Sequence, residues 1–203
     1  MTSRKERACH GRLEIQRCDM LITRRLKLVS PLLAAKHSGN KDGGPHRIFV
    51  KVRPPRGEDP DRVYIATPLS RWNWAFLEAR DALGIEDAAT SAIIPAHWYS
   101  VKKTSTYNRK FRRGQHGDMR TEQFESLPTG QVFDLTFTLS KHAPPNTDGG
   151  GRYTRTPDEE EFDAMLAHIG EHLGMSEWGQ HYLYGRFEIK PPAGDGAPPT
   201  IKT

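Results

Sequence analysis

Between His97 and Gly117 six cations, Lys102, Lys103, Arg109, Lys110, Arg112 and Arg113, occur with no acidic residue, and Trp98, Tyr99, Tyr107 and Phe111 are interleaved with them. Cations neutralise phosphates and aromatic faces accept bases, so this mixture is what a single-stranded nucleic-acid surface requires. The same residues also suit a solvated, twisted hairpin whose Lys and Arg keep an edge soluble. A second candidate runs from Gly174 to Phe187. There Gly174, Gly179 and Gly185 allow a backbone to approach a ligand closely, and exposed amides can cradle a phosphate. A helix C-cap followed by a turn explains Gly174 by itself.

Other chemistry is thinly represented. Cys9 and Cys18 are the only cysteines and form neither a CxxC nor a second ligand pair, so no disulfide framework, structural metal or thiol catalysis is expected. His168 and His172 stand four apart without an HExxH pattern, which suits a solvent-facing helix surface. No metal and no cofactor is expected.

The 203 residues leave room for one domain with tails, and a hydrophobic share of 35% is lean but enough for a core. Eighteen glycines and 15 prolines give loops an unusual share of the chain. No apolar run approaches the roughly 18 residues of a bilayer span, and Met1 to Arg12 has no apolar h-region, so a cytoplasmic protein without membrane contact is expected. The net charge of +5 hides a segregation. Residues 157 to 177 hold seven acids and no Lys or Arg, against the six cations of the basic segment.

The elements that must position these groups follow from periodicity. Residues 1–19 read as a flexible basic arm and 191–203 as a disordered Pro/Gly tail, leaving 20–190 as one domain with an insertion at 97–123. Met20 to Leu28 alternates as a half-buried strand with Arg25 and Lys27 on its solvent side; Arg24 interrupts the apolar face. Arg47–Arg53 and Arg62–Ala66 fit a hairpin. Thr67 and Pro68 start a helix whose stripe is Leu69, Trp72, Phe76, Ala79 and Leu83, stopped by Gly84. For Trp72, Trp74 and Phe76, core packing is favoured over base stacking. Ile93 to Tyr99 reads as a strand confined to an edge by Pro95, and Phe124 to Gly130 as strand and turn. Gln131 to Ser140 sets Phe133, Leu135, Phe137 and Leu139 against polar neighbours, the clearest strand in the chain. Thr156 and Glu159 suggest a capping box opening a helix with the stripe Phe162, Met165, Leu166, Ile169 and Leu173; the acids of its first turn suit the helix dipole. Tyr184 to Lys190 is a last strand. Two helices among antiparallel strands imply an α+β, ferredoxin-like/RRM-like antiparallel sheet with a basic hairpin insertion.

A C-terminal helix ending in Leu173 and Gly174, a Gly/Ser loop, and a strand opening Tyr184, Gly185, Arg186, Phe187 resembles the glycine-rich loop of the RAMP superfamily, the RRM-like subunits of CRISPR effector complexes. The first strand followed by Ser30, Pro31, Leu32 and Leu33 is similar to their N-terminal pattern. The resemblance covers about 30 residues at the two ends of the domain. It implies an RNA-binding subunit of an antiviral CRISPR-type ribonucleoprotein complex, with guide RNA and the other subunits as partners. RNA contacts are then expected from Lys102, Lys103, Tyr107, Arg109, Lys110, Phe111, Arg112 and Arg113 of the insertion, from Arg25, Lys27 and Lys36, and from Gly179, Gly185 and Arg186 of the loop. Family members that cleave RNA often use a histidine base; His37 is the first candidate here, followed by His46, His97 and His116, and none has a recognisable partner constellation. A non-catalytic role is the leading expectation. The alternatives are a guide-processing endoribonuclease of the same fold, and a protein-binding module or mimic from a mobile element that uses the acidic helix Asp158 to Asp163.

Overall fold

The computed structural model describes residues 19–39, 44–112, 117–140, 155–176 and 184–191, with Phe111 and Arg112 described in backbone only. All of the 1–19 arm but Asp19, all of the 191–203 tail but Pro191, and Arg113, His116 and Gly179 lie outside the described residues. Four antiparallel strands form the central sheet in the order β11-β1-β10-β6: β1 is Met20–Leu28, β6 Ile93–Pro95, β10 Val132–Leu139 and β11 Phe187–Lys190. Helix α1, Leu69–Leu83, lies between β1 and β6 in sequence, and α2, Glu159–His168, between β10 and β11. This β1-α1-β6-β10-α2-β11 path is the split βαβ arrangement of a ferredoxin-like, RRM-like α+β fold.

Alternation dictates which face is covered. Ile22, Leu26 and Leu28 of β1 and Phe133, Leu135, Phe137 and Leu139 of β10 are buried together with Trp72, Phe76 and Phe162 from the helices. Four of those rings interlock: Trp72 and Phe76 meet Phe137 edge-on at 5.4 and 5.9 Å, and Phe162 lies 5.0 Å from Phe137. Trp72 and Phe76 are therefore core residues, as their helix positions imply. Arg24, the residue that broke the apolar face of β1, reaches α2 instead: its guanidinium bonds Asp163 at 2.7 and 2.8 Å and Glu159 at 2.5 Å. Those carboxylates hold the guanidinium pKa above its ordinary value.

Two long connections, 29–68 and 96–131, build the remaining sheets jointly. The first supplies β2 (Leu32–Leu33), β3 (Lys36–His37), β4 (Arg47–Ile48) and β5 (Val63–Ala66); the second supplies β7 (Trp98–Val101), β8 (Ser105–Arg112) and β9 (Met119–Leu127). The order β2-β9-β4-β3, with β8 on β9, and the ribbon β5-β7 both mix strands from the two connections.

Several sequence expectations shift. The hairpin of 47–53 with 62–66 is present as an antiparallel bridge at Lys51↔Ile65, with the Val52 N–H donating to the Tyr64 carbonyl and the Ala66 N–H to the Val50 carbonyl, while the other edge of β5 pairs with β7. Ile93 to Tyr99 divides into β6, at the edge where Pro95 is tolerated, and β7, which joins the other ribbon. Thr67 does not cap α1; Pro68 stands at the cap, and the Thr67 hydroxyl is buried without a hydrogen-bond partner. Leu69 and Leu83 are exposed, and the buried stripe is Trp72, Ala75, Phe76 and Ala79. The capping box of α2 is Asp158 with Glu161, two residues beyond Thr156 and Glu159, since the Thr156 hydroxyl donates to the Ser140 carbonyl. The last strand begins at Phe187, after a turn at Tyr184 and Gly185.

Candidate nucleic-acid interface

The open face of the central sheet carries Leu21, Thr23, Arg25 and Lys27 of β1 beside Val132, Asp134, Thr136 and Thr138 of β10, with Glu188 and Lys190 of β11. Arg25 bonds Asp134 at 2.9 Å, and Glu188 is held between Lys27 at 3.1 Å and Lys190 at 2.8 Å. Lys190, then Lys27, keeps the Glu188 carboxyl below its ordinary range. Single-strand recognition by an RRM sheet stacks bases on aromatic side chains of that face. None of the described residues on it is aromatic, and its cations are committed to carboxylates.

The hairpin β8–β9 pairs from Ser105↔Ser126 to Arg112↔Met119. Its root is sealed: Phe124 and Leu127 are buried, and β9 bonds to β2 through Leu32↔Leu127 and Leu33↔Ser126. The far end is open, with Lys110, Met119, Arg120 and Thr121 exposed. Lys102 and Lys103 are exposed in the link before β8. Tyr107 and Arg109 are half-buried, opposite Phe124 and Glu122; Phe111 and Arg112 continue the strand opposite Arg120 and Met119. Lys36 and His37 are exposed on β3, His37 opposite Arg47. His46 accepts a bond at Nδ1 from the Gln123 amide, and His97 is exposed. His168 and His172 have ring centres 4.6 Å apart, and burial, then His172, lowers the His168 pKa; no cluster of three His, Cys, Asp or Glu suited to a metal occurs among the described residues.

Glu125 anchors the hairpin root. It is buried and accepts bonds from the Thr104 hydroxyl at 2.7 Å, the Phe49 amide at 3.0 Å and Lys51 Nζ at 2.7 Å. Burial pushes this carboxyl up, but the bonds from Lys51, Thr104 and Phe49 outweigh that and hold it below its ordinary 4.5. A carboxyl depressed in the folded state stabilises above its unfolded value, and that contribution is lost as pH falls through the folded value. Glu125→Gln should cost about 2 kcal/mol at pH 7. It should also show a smaller drop in Tm than the wild type when the pH is taken below about 4.5, measured by thermal melts across pH. An unchanged acid slope would remove Glu125 from this role.

The glycine-rich segment has a rigid neck. The α2 axis ends in a wider π-helical turn, Ile169–Leu173, and Gly174 follows at φ +67. Met175 N–H donates to the Gly185 carbonyl at 3.0 Å, so the two ends of the segment meet. Gly185, at φ +71, donates its own amide to Pro31 at 2.7 Å, and a Cβ there would stand 2.8 Å from the Ser176 nitrogen. Its amide is thus used within the fold. Arg186 donates its backbone N–H to Ser30 Oγ, and its Nε is buried without a hydrogen-bond partner. Ser176 Oγ bonds the Leu33 carbonyl, and Arg71 of α1 donates from Nη2 to the carbonyls of Leu173 and Gly174 at 2.7 and 2.8 Å. Arg71 also lies 4.3 Å over the Trp74 ring. Sequence reasoning passed over Arg71; a charge beside Trp72 on a buried helix face was the available signal.

The hairpin and the neck meet. The rings of Tyr107 and Tyr184 pack edge to face with centres 5.9 Å apart, and their hydroxyl oxygens lie 3.5 Å from each other. The fold defines the class of the chain, an α+β protein on a ferredoxin-like, RRM-like sheet with a hairpin insertion. No family model matches the sequence, and no curated protein matches it either. Among solved structures, a chain in the cryo-EM structure of the type III-B Cmr-beta bound to cognate target RNA is similar, with a TM-score of 0.48 and 9% sequence identity. The similarity covers 84% of this chain and 58% of that one, so it spans less than two thirds of the neighbour's length. No helix among the described residues is long and apolar enough to cross a membrane.

Proposed function

We propose that the chain is an RNA-binding subunit of a CRISPR-type ribonucleoprotein effector complex, holding guide RNA between the hairpin β8–β9 and the glycine-rich segment Gly174–Gly185 without cleaving it. The carrying observation is the Tyr107–Tyr184 contact, which brings the two segments into one surface across 77 residues of sequence. Exposed Lys102 and Lys103 before β8, and Lys110 on the face of β8 opposite to Tyr107, supply charge for phosphates along the hairpin, and the two phenol rings offer faces to bases. The resemblance of the segment from Leu173 to Phe187 to RAMP subunits is the reason for naming guide RNA as the ligand. A protein partner for the acidic helix is less favoured, because Arg24 engages Glu159 and Asp163 while Arg155 engages Glu161.

Base stacking contributes about 1–3 kcal/mol per base, so Tyr107→Ala and Tyr184→Ala should each weaken single-stranded RNA binding at least about fivefold. If both rings hold the same nucleotide, the double variant should lose less than the product of the two single losses. Fluorescence anisotropy with labelled RNA measures this. Wild-type affinity in both single variants would sink the proposal.

A further inference from the structure

Strand β1 is nine residues long and β11 only four, so β11 covers the edge of β1 from Arg25 to Leu28 and leaves residues 20–24 beyond its end. Leu28 exchanges backbone hydrogen bonds with Gln131 and Gly130 on the β10 side, while the Val29 N–H turns to Arg186 on the β11 side. Alternation along the continuous register with β10 then aims the N–H and C=O groups of Leu21 and Thr23 away from β10, at the open edge. Among the described residues only Arg24 Nη1 reaches these groups, at 3.3 Å from the Thr23 carbonyl. A groove of about 560 Å³ lies at this step in the sheet, lined by Thr23, Arg24, Asp163, Ile189, Lys190 and Pro191 among others. Other edges are blunted: β6 carries Pro95, and β3 has two residues, Lys36 and His37, both exposed. The β1 edge instead runs Met20, Leu21, Ile22, Thr23 without a charge before Arg24, and Leu21 is 72% exposed. Each face of the step also keeps a residual charge among the described residues, of opposite sign. On the helix side Glu159 and Asp163 share the one guanidinium of Arg24, and on the open side Lys27 and Lys190 share Glu188.

We propose that residues 20–24 are the docking edge for an extended segment of a partner protein, which takes up the line of β11 and adds a short antiparallel strand beside β1. A second strand supplies a donor and an acceptor at each outward position, so it satisfies Leu21 and Thr23 together. Its side chains alternate between the two faces. The residue nearest Arg24 falls on the helix side, where the excess carboxylate calls for a basic group. The residue opposite Thr23 falls on the open side next to Lys190, where an acidic group is matched. The residues opposite Ile22 and Leu21 are apolar, the second covering the exposed Leu21. Read from its N-terminus, the partner segment is therefore basic, acidic, apolar, apolar. An RNA strand brings negative charge to both faces and meets Glu159 and Asp163. A second copy laid antiparallel about Ile22 sets Met20 opposite Arg24 and Leu21 opposite Thr23, and meets neither residual charge. The sequence that follows β11 is Pro191 and Pro192, and proline lacks the N–H that the position opposite Thr23 requires. This surface stands independently of the RNA-binding role proposed above.

The probe is a capped peptide with the central sequence lysine, glutamate, valine, leucine, titrated into the full-length protein while amide hydrogen exchange is followed by NMR. In the free protein the Leu21 and Thr23 amides should exchange fast, and those of Ile22 and Arg24, which face β10, slowly. Peptide at four times its dissociation constant should slow Leu21 and Thr23 about fivefold. Thr23→Pro removes the outward N–H while leaving the β10 ladder whole, and should weaken peptide binding roughly two- to tenfold, the worth of one backbone bond. Lys190→Glu should weaken it about threefold, and a peptide with lysine in place of its glutamate should recover the loss. If Thr23→Pro does not fold, the Lys190→Glu comparison decides. A peptide that leaves Leu21 and Thr23 exchanging as before overturns the proposal, as does a peptide of reversed order that slows them equally. Slow exchange of both amides in the free protein overturns it too: at every concentration it assigns the edge to the chain's own residues, and only at high concentration to a second copy. Slowing by single-stranded RNA and not by the peptide assigns the edge to nucleic acid and likewise overturns the partner strand.

Discussion

Alanine at Arg109, Lys110, Arg112 and Arg113 should weaken single-stranded RNA binding steeply at low salt and flatten its salt dependence. Each phosphate neutralised on a single strand contributes about 0.7 to the slope of log affinity against log salt, so losing four contacts lowers that slope by up to roughly 3. The fold sharpens this expectation. Arg109 stands opposite Glu122, which Arg47 engages at 2.8 Å, so Arg109 sits in a field already containing one carboxylate and one competing cation. Lys110, by contrast, is exposed towards the open end of the hairpin. Lys110→Ala should therefore take a larger share of the slope than Arg109→Ala. Affinities measured by anisotropy at a series of salt concentrations check both statements. A quadruple variant with the wild-type slope would exclude the hairpin from the phosphate-binding surface.

The second large effect is on stability. Gly174→Ala places a Cβ at φ +67 and ψ 165, where it would overlap the carbonyl oxygen of Tyr184 and lie 3.1 Å from the carbonyl carbon of Gly185. The obstacles are backbone atoms of the same closed neck, so no flexible side chain can yield. Strain in that backbone region costs about 1–3 kcal/mol and overpacking a similar amount, giving roughly 4 kcal/mol. For a chain of this size the loss corresponds to about 8–16 °C in Tm. Gly130→Ala is the control: its φ of +84 carries backbone strain, but nothing lies within 4 Å of its Cβ. It should lose only about 1–2 kcal/mol. Equal melting temperatures for the two variants would mean that the neck relaxes around a side chain, contrary to its hydrogen bonding.

The central sheet was legible because its determinants are local. Phe133, Leu135, Phe137 and Leu139 alternate within one strand, and the α2 stripe repeats at helical spacing, so burial could be read without knowing the partner. The capping box was found but misplaced by two residues, since Thr156 and Asp158 both carry acceptors and the Ser140 carbonyl, remote in sequence, decides between them. Outside the β8–β9 hairpin, the second sheet left almost no signal. Strands of two residues, Leu32–Leu33, Lys36–His37 and Arg47–Ile48, cannot display a period, and what places them in the sheet, the pairing of Leu32–Leu33 and Arg47 with β9, lies many tens of residues away. The candidate site was half legible: composition marked the basic hairpin and the glycine-rich segment separately, while their junction at Tyr107 and Tyr184 exists only in three dimensions.

The interleaving of the two long connections bears on how such a chain can vary. Neither 29–68 nor 96–131 closes a sheet alone, because β2 and β4 need β9, and β5 needs β7. A descendant that lost one connection would present the strands of the other as bare, self-complementary edges, inviting aggregation. The two connections therefore form a single structural unit, whose strands are satisfied only when both are present.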